Sequence, residues 1–259
     1  MRIPEDWDTA SSDNASLCAK FTFGEHVYGG RDLPYRLFTP KKTGDSKRYP
    51  LVLYLHGADA VGQDNRKQLD MHDIGTCLAK DEWQRENPCY ILAPQYRKHM
   101  HWAGPGMAQH LMSLIEEILS MNTDIDESRV YMYGYSAGGI GALEFIKQYP
   151  NSFAGAIIIC GATIGKGMDK LTYTPMWLFH AEDDTIVPCG DRSFLPIEGT
   201  YLGSRPIFRL LEPRMGEHVR YTEYPRGWMK NTFGINPHCT WVPVGVNKVC
   251  WKWLFSQQN

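Results

Sequence analysis

The chain has 259 residues, 43% of them hydrophobic and 22% charged, with a formal net charge of −2. That length and apolar content suit a globular domain with a sizeable core and exclude a disordered chain or a repeat array, while the near-neutral charge leaves no basic stripe for a nucleic acid. The longest apolar runs, such as Ala156 to Cys160, are far too short to cross a membrane, and the polar first twenty residues, with Glu5, Asp6, Asp8 and Asp13, lack the basic start and apolar run of a secretory signal.

Residues 1–20 read as an N-terminal extension and 21–259 as a single domain. Phe21 to Tyr28 and Leu33 to Phe38, separated by Gly29-Gly30, read as an antiparallel hairpin. After a polar Lys/Gly/Asp loop, Leu51 to Leu55 is a continuous apolar run ending in His56-Gly57, as in a strand buried on both faces. A helix-like stretch around Asp70 to Lys80 follows. The alternation then continues with strand Tyr90 to Ala93, helix Met107 to Ser120, strand Val130 to Tyr133 and helix Ala137 to Gln148. Leu111, Leu114, Ile115, Ile118 and Leu119 give the Met107 helix one apolar face. Ala156 to Cys160, Met176 to Phe179 and Val219 to Tyr224 are further strands, and Val246 to Phe255 closes the chain as a helix. Between them, residues 189–217 carry Pro196, Gly199, Gly203, Pro206 and Pro213, which predicts an irregular insertion without a regular helix. The fold class is α/β: a mostly parallel central sheet with an antiparallel N-terminal hairpin and helices on both faces.

Gly134-Tyr135-Ser136-Ala137-Gly138 is a Gly-x-Ser-x-Gly motif placed between an apolar strand and a helical pattern, the strand-turn-helix setting of a nucleophilic serine. The tip of such a turn is strained and crowded, so small neighbours are required, and Gly134, Gly138 and Gly139 supply them. A serine hydroxyl needs a base, and a histidine base needs a group that fixes its tautomer. In this arrangement the acid and then the histidine follow the serine, each on a loop after a later strand. The loop after Met176 to Phe179 offers Glu182, Asp183 and Asp184; Asp184, at the turn before Ile186-Val187-Pro188, is placed first and Asp183 next, the others being loop charges. Of the histidines beyond that loop, His218 precedes the last strand and His238 follows it, so His238 is the base. One oxyanion N–H is assigned to Ala137 and the second to Ala58, with Asp59 as its alternative. His56 is read as shaping that loop. Trp102, Gln95, Tyr135, Trp228 and Phe233 are the residues expected to line a substrate pocket, where the aromatic rings would favour a planar aromatic acyl group.

Leu55-His56-Gly57-Ala58 with Gly62 and Asp64-Asn65, Leu92-Ala93-Pro94-Gln95, the Gly-Tyr-Ser-Ala-Gly-Gly turn, the Asp184-to-Pro188 loop and His238 with Trp241 resemble the esterase branch of the α/β-hydrolases. That branch includes feruloyl and acetylxylan esterases and related carboxylesterases, and the resemblance runs from about Phe21 to Phe255. It implies a small ester or an acylated carbohydrate as substrate, an acyl-enzyme, and no cofactor. Competing readings are a metal hydrolase using His99, His101 and His110, a serine peptidase of the same fold, for which no propeller or other gating module is expected, and a binding protein that keeps the fold without activity. The histidine spacing matches no recognised metal geometry, and intact Ser136, Asp184 and His238 argue against a binding protein. Seven cysteines without Cys-x-x-Cys spacing point to reduced thiols and to a cytoplasmic rather than a secreted protein.

Overall fold

A computed structural model describes residues 9–42, 47–190 and 201–259. Parts of the N-terminal extension (residues 1–8), of the polar loop (43–46) and of the expected insertion (191–200) lie outside the described residues.

Among the described residues eight strands form one sheet. In chain order the strands are β1 (Thr22–Tyr28), β2 (Arg31–Phe38), β3 (Tyr49–Leu55), β4 (Tyr90–Pro94), β5 (Ile125–Tyr135), β6 (Gly155–Ile159), β7 (Ala162–Ile164), β8 (Met176–Ala181), β9 (Tyr201–Gly203) and β10 (Val219–Tyr224). The large sheet runs β1-β2-β4-β3-β5-β6-β8-β10, and β7 pairs with β9 separately. The β1–β2 and β2–β4 pairs are antiparallel and every other pair in the large sheet is parallel. The Gly29-Gly30 turn closes the hairpin because both glycines hold positive φ, at 58° and 73°.

The pleat sorts the strand residues into two cores. Leu51, Leu53 and Leu55 of β3, with Val130 and Met132 of β5, face one side, where α4 (Met107–Met121), α5 (Ala137–Gln148) and α6 (Ser204–Met215) pack. Val52 and Tyr54, with Tyr131, Tyr133 and Tyr135, face the other, against α3 (Asp81–Glu86), α8 (Trp241–Gly245) and α9 (Lys248–Phe255). All seven residues of β3 are buried, which is why its sequence is continuously apolar rather than alternating.

Three expectations are corrected. The stretch Asp70 to Lys80 is not one helix: α2 (Lys67–Asp70) ends there and two three-residue 3₁₀ turns, Asp73–Gly75 and Cys77–Ala79, follow. Interval 189–217 contains the twelve-residue α6. Its prolines are compatible with a helix because Pro206 lies in the first turn, whose N–H groups have no intrahelical acceptor, while Pro213 costs a bond only near the C-terminal end. The closing helix begins at Lys248 rather than Val246, because the Asn247 side chain accepts from the Val249 and Cys250 N–H groups and caps it. Among the described residues no helix is long and apolar enough to cross a membrane.

The strand order decides where a site can form. From β3 the chain crosses to β4 on one side, whereas from β5 it moves to β6 on the other. The loops leaving β3 and β5 therefore part at their C-terminal ends and leave a crevice, the place where open α/β sheets hold ligands. The residues that follow these two strands are His56 to Ala58 and Ser136.

Candidate active site

Ser136 joins β5 directly to α5 with φ 53° and ψ −119°, a conformation non-glycine residues rarely adopt. Its N–H donates to the Ile159 carbonyl at 2.9 Å, which fixes the turn against β6. The turn is tight because backbones meet there. A Cβ on Gly134 would lie 2.5 Å from the Gly138 carbonyl oxygen, and a Cβ on Gly138 would lie 1.9 Å from that of Leu55. The first turn of α5 is thereby held against the end of β3.

The side chain of Ser136 meets His238, whose Nε2 lies 2.9 Å from Ser136 Oγ. On the other ring edge His238 Nδ1 lies 2.6 Å from Asp184 Oδ2, and both side chains are fully buried. Asp184 Oδ1 accepts from the N–H groups of Ile186 and Val187 at 2.8 and 3.0 Å. The carboxylate is thus saturated by donors and turned towards the imidazole. Its rivals are occupied elsewhere: Glu182 accepts from the Arg226 N–H and Asp183 from the Gly227 N–H, tying the acid loop to the segment that leads to His238. A second layer had no sequence signal. His180, at the end of β8, accepts at Nδ1 from the Ser204 hydroxyl and donates from Nε2 to the Val187 carbonyl, both at 2.7 Å, with Asp184 Oδ2 3.3 Å away. The first residue of α6 therefore braces the acid loop.

These contacts set the ionisation of the pair. Burial pushes the Asp184 carboxyl up, but the charge of His238 and the hydrogen bonds from His180 and His238 outweigh it and hold the group well below the carboxylate range. Burial disfavours a charged His238, yet the Cys160 sulfur and the Asp184 carboxylate beside it outweigh that and set its pKa well above the ordinary imidazole value.

Ala137 opens α5 and Ala58 opens the 3₁₀ turn Ala58–Ala60, so both N–H groups belong to first turns that lack internal acceptors. The expected pocket residues divide. Trp102 is 2% exposed and its indole N–H donates to the His56 carbonyl at 2.9 Å, so it packs beneath the β3 loop instead of lining an open pocket. Gln95 is buried as a brace, accepting from the Asn65 N–H and donating to the Ala60 carbonyl. Tyr135 turns into the core and donates to Asp59. The reason is the same for all three: proximity along the chain does not set side-chain direction, and the pleat and the room below the loop do. Trp228 is half-buried, stacked on Tyr224 at 4.6 Å and edge-on to Phe233, which is 40% exposed. His56 is held neutral, burial bringing its pKa down to about 4; its Nδ1–H donates to the Gly57 carbonyl and its Nε2 accepts from the Tyr96 N–H.

Among the described residues, one set of three donor atoms lies within 4.8 Å, from Cys160, Asp184 and His238. His99, His101 and His110 form no such set. Because both ring nitrogens of His238 are engaged, an ion held there would take the imidazole away from Ser136.

A family model described as phospholipase/carboxylesterase matches residues 105–195, a stretch that holds Ser136 and Asp184. Among solved structures the chain is similar to a thermostable esterase, at 33% identity and a TM-score of 0.82, over 94% of this chain and 64% of that one. It is also similar to an α/β-hydrolase enzyme from the metagenome of Lake Arreo, at 14% identity and a TM-score of 0.55, over 82% of this chain and 78% of that one. The chain has the α/β-hydrolase fold. An acylaminoacyl peptidase shares the fold at 14% identity, with a TM-score of 0.62 over 95% of this chain. The chain spans 64% of the length of the thermostable esterase and 44% of that of the peptidase. No curated protein sequence matches it. In an α/β-hydrolase the strand-to-helix turn occupied here by Ser136 carries the nucleophile, and the loop after β3 faces it across the crevice.

Proposed function

We propose that this α/β-hydrolase is a serine carboxylic-ester hydrolase that acts through an acyl-enzyme on esters of small to medium acyl groups. The observation that carries the reading is the unbroken contact from Ser136 Oγ through His238 to Asp184, at 2.9 and 2.6 Å, with the serine on a strained turn at the crevice. Ser136 Oγ attacks the ester carbonyl as its proton passes to His238 Nε2, while Asp184 holds the Nδ1–H and stabilises the imidazolium. The N–H groups of Ala137 and Ala58 receive the developing oxyanion. His238 then gives its proton to the departing alcohol, and water repeats the sequence to release the acid. The likeness to a thermostable esterase and the carboxylesterase family match support ester rather than amide substrates.

A fluorophosphonate probe tests the reading. The intact chain takes up one label and hydrolyses 4-nitrophenyl acetate; Ser136→Ala loses both, with turnover down by about 10³-fold or more. An intact chain that takes up no label would leave a binding protein as the better reading.

A second, narrower reading concerns the acyl group. Trp228 and exposed Phe233 present an aromatic pair on the segment that leads to His238, which favours a planar aromatic acid such as a hydroxycinnamate. Methyl esters of hydroxycinnamic acids are then cleaved with a higher kcat/KM than methyl acetate, and Trp228→Ala narrows the gap. Equal or better cleavage of acetate would make this an acetyl or general carboxylesterase.

A further inference from the structure

Behind the crevice lies a second buried Asp–His pair that proton transfer does not use. Asp59 follows Ala58 in the loop after β3, and its side chain is 1% exposed, as is that of His72. Asp59 Oδ2 accepts from His72 Nε2 at 2.5 Å, and Asp59 Oδ1 accepts from the Tyr135 hydroxyl at 2.7 Å. Tyr135 immediately precedes Ser136. One carboxylate therefore ties the residue after Ala58 to the residue before the nucleophile.

The remaining bonds run in one direction. His72 Nδ1 accepts from the Thr9 hydroxyl at 2.9 Å, and Thr9 Oγ1 accepts from the Trp241 indole N–H at 3.1 Å. The Trp241 ring stands edge-on to His238, with centroids 5.6 Å apart, and packs on the rings of both His72 and Tyr135. The Tyr135 ring also fills the space a side chain on Gly57 would need, since a Cβ there would lie 2.4 Å from it. Both nitrogens of His72 are committed, so it has no lone pair to offer a substrate. Burial pushes the Asp59 carboxyl up, but the hydrogen bonds from His72 and Tyr135 more than offset this and keep it below its ordinary value. A buried carboxylate satisfied on both oxygens is a stiff tether, because letting go of either donor leaves an unpaired charge in the core.

We propose that Asp59, His72 and Tyr135 are positioning residues that hold the Ala58 N–H in register with the nucleophile turn. The proposal rests on the esterase reading above. Stabilising an oxyanion depends on donors being placed in advance where charge develops, so a loop that drifts loses kcat while substrate binding is spared.

The test uses the full chain, with active sites counted by fluorophosphonate titration. Tyr135→Phe removes a single hydroxyl and His72→Leu removes the donor to Asp59, whereas His72→Gln keeps an N–H that can reach it. We expect kcat per titrated site on 4-nitrophenyl acetate to fall about 10-fold in Tyr135→Phe and about 10- to 100-fold in His72→Leu, with KM within about 2-fold, because displacements near 1 Å suffice for such losses. Phenylboronic acid, which adds to the serine and places a hydroxyl at the oxyanion position, should bind more weakly by the same factors. His72→Gln should recover most of the loss. Variants that melt earlier but keep wild-type kcat per site and boronate affinity would overturn the proposal, as would His72→Gln and His72→Leu behaving alike. If Ser136→Ala itself retains turnover, the esterase reading fails; if that variant is dead and the three others turn over normally, the positioning role alone fails.

Discussion

Replacing Asp184 with asparagine isolates what the buried carboxylate does. Asp184 Oδ1 accepts from two backbone N–H groups, at 2.8 and 3.0 Å, and Oδ2 faces His238 Nδ1 at 2.6 Å. An asparagine keeps the two backbone donors on its carbonyl oxygen, which turns its NH₂ group towards His238. That amide can only donate, so the imidazole must present its lone pair at Nδ1 and carry its proton on Nε2, facing Ser136 Oγ at 2.9 Å. A ring in that tautomer cannot accept the serine proton. In the Ser-His-Asp template the same exchange lowers kcat about 10⁴-fold, about 5.5 kcal/mol of transition-state stabilisation. Asp183→Asn is the control, because Asp183 only accepts from the Gly227 N–H at 2.9 Å, a bond the asparagine carbonyl can keep. It should stay within about 3-fold of wild type, the size of an ordinary surface change. Steady-state hydrolysis of 4-nitrophenyl acetate, normalised to folded protein by circular dichroism, measures both. Asp184→Asn within 10-fold of wild type, or Asp183→Asn as the worse of the two, would refute the assignment of the acid.

Two other predictions concern protonation and backbone contact. Since His238 must be neutral to accept a proton and its pKa is raised, kcat/KM should rise with pH through a midpoint above the free imidazole value of about 6.5; a midpoint at or below 6.5 contradicts the influence of Asp184. The linked stability runs the opposite way for the two partners. The His238 contribution is fully present below about pH 6.5 and is lost as pH rises through its folded value, whereas that of Asp184 is present above about pH 4 and is lost as pH falls through its depressed one. Gly138→Ala places a Cβ 1.9 Å from the Leu55 carbonyl oxygen, so α5 must move off β3 and carry the Ala137 N–H with it. We expect a lower Tm and a kcat loss of about 10²-fold; wild-type values for both would show that the close approach is not needed.

What could be read from the sequence is what local patterning encodes. The apolar run of β3, the helical spacing in α4 and the Gly-x-Ser-x-Gly between strand and helix each show in a few consecutive residues, because backbone periodicity and the crowding at a tight turn act over short range. Element order along the chain then implied the parallel sheet with its antiparallel hairpin, since few topologies connect such units. Chain order also singled out His238 and a choice of three acids, which the structure narrows by contact, with Asp184 alone meeting the imidazole.

Tertiary structure decided what depends on side chains meeting across long separations. Asp59 and His72 are 13 residues apart, Tyr135 and Asp59 are 76, and His180 and Ser204 are 24. None of these pairs belongs to a motif, so no spacing rule could join them. Trp102, Gln95 and Tyr135 lay close to the site along the chain, yet each points into the interior, because the pleat and the packing under the β3 loop fix direction independently of sequence distance. The helix α6 was hidden by its prolines, whose effect depends on where in the helix they fall and not on how many there are. The sequence by itself determined the strand-turn-helix around Ser136 and the class of fold. Only the folded chain decided which carboxylate turns to the imidazole and what holds the loop that faces the serine, because both depend on burial and on donors drawn from distant strands.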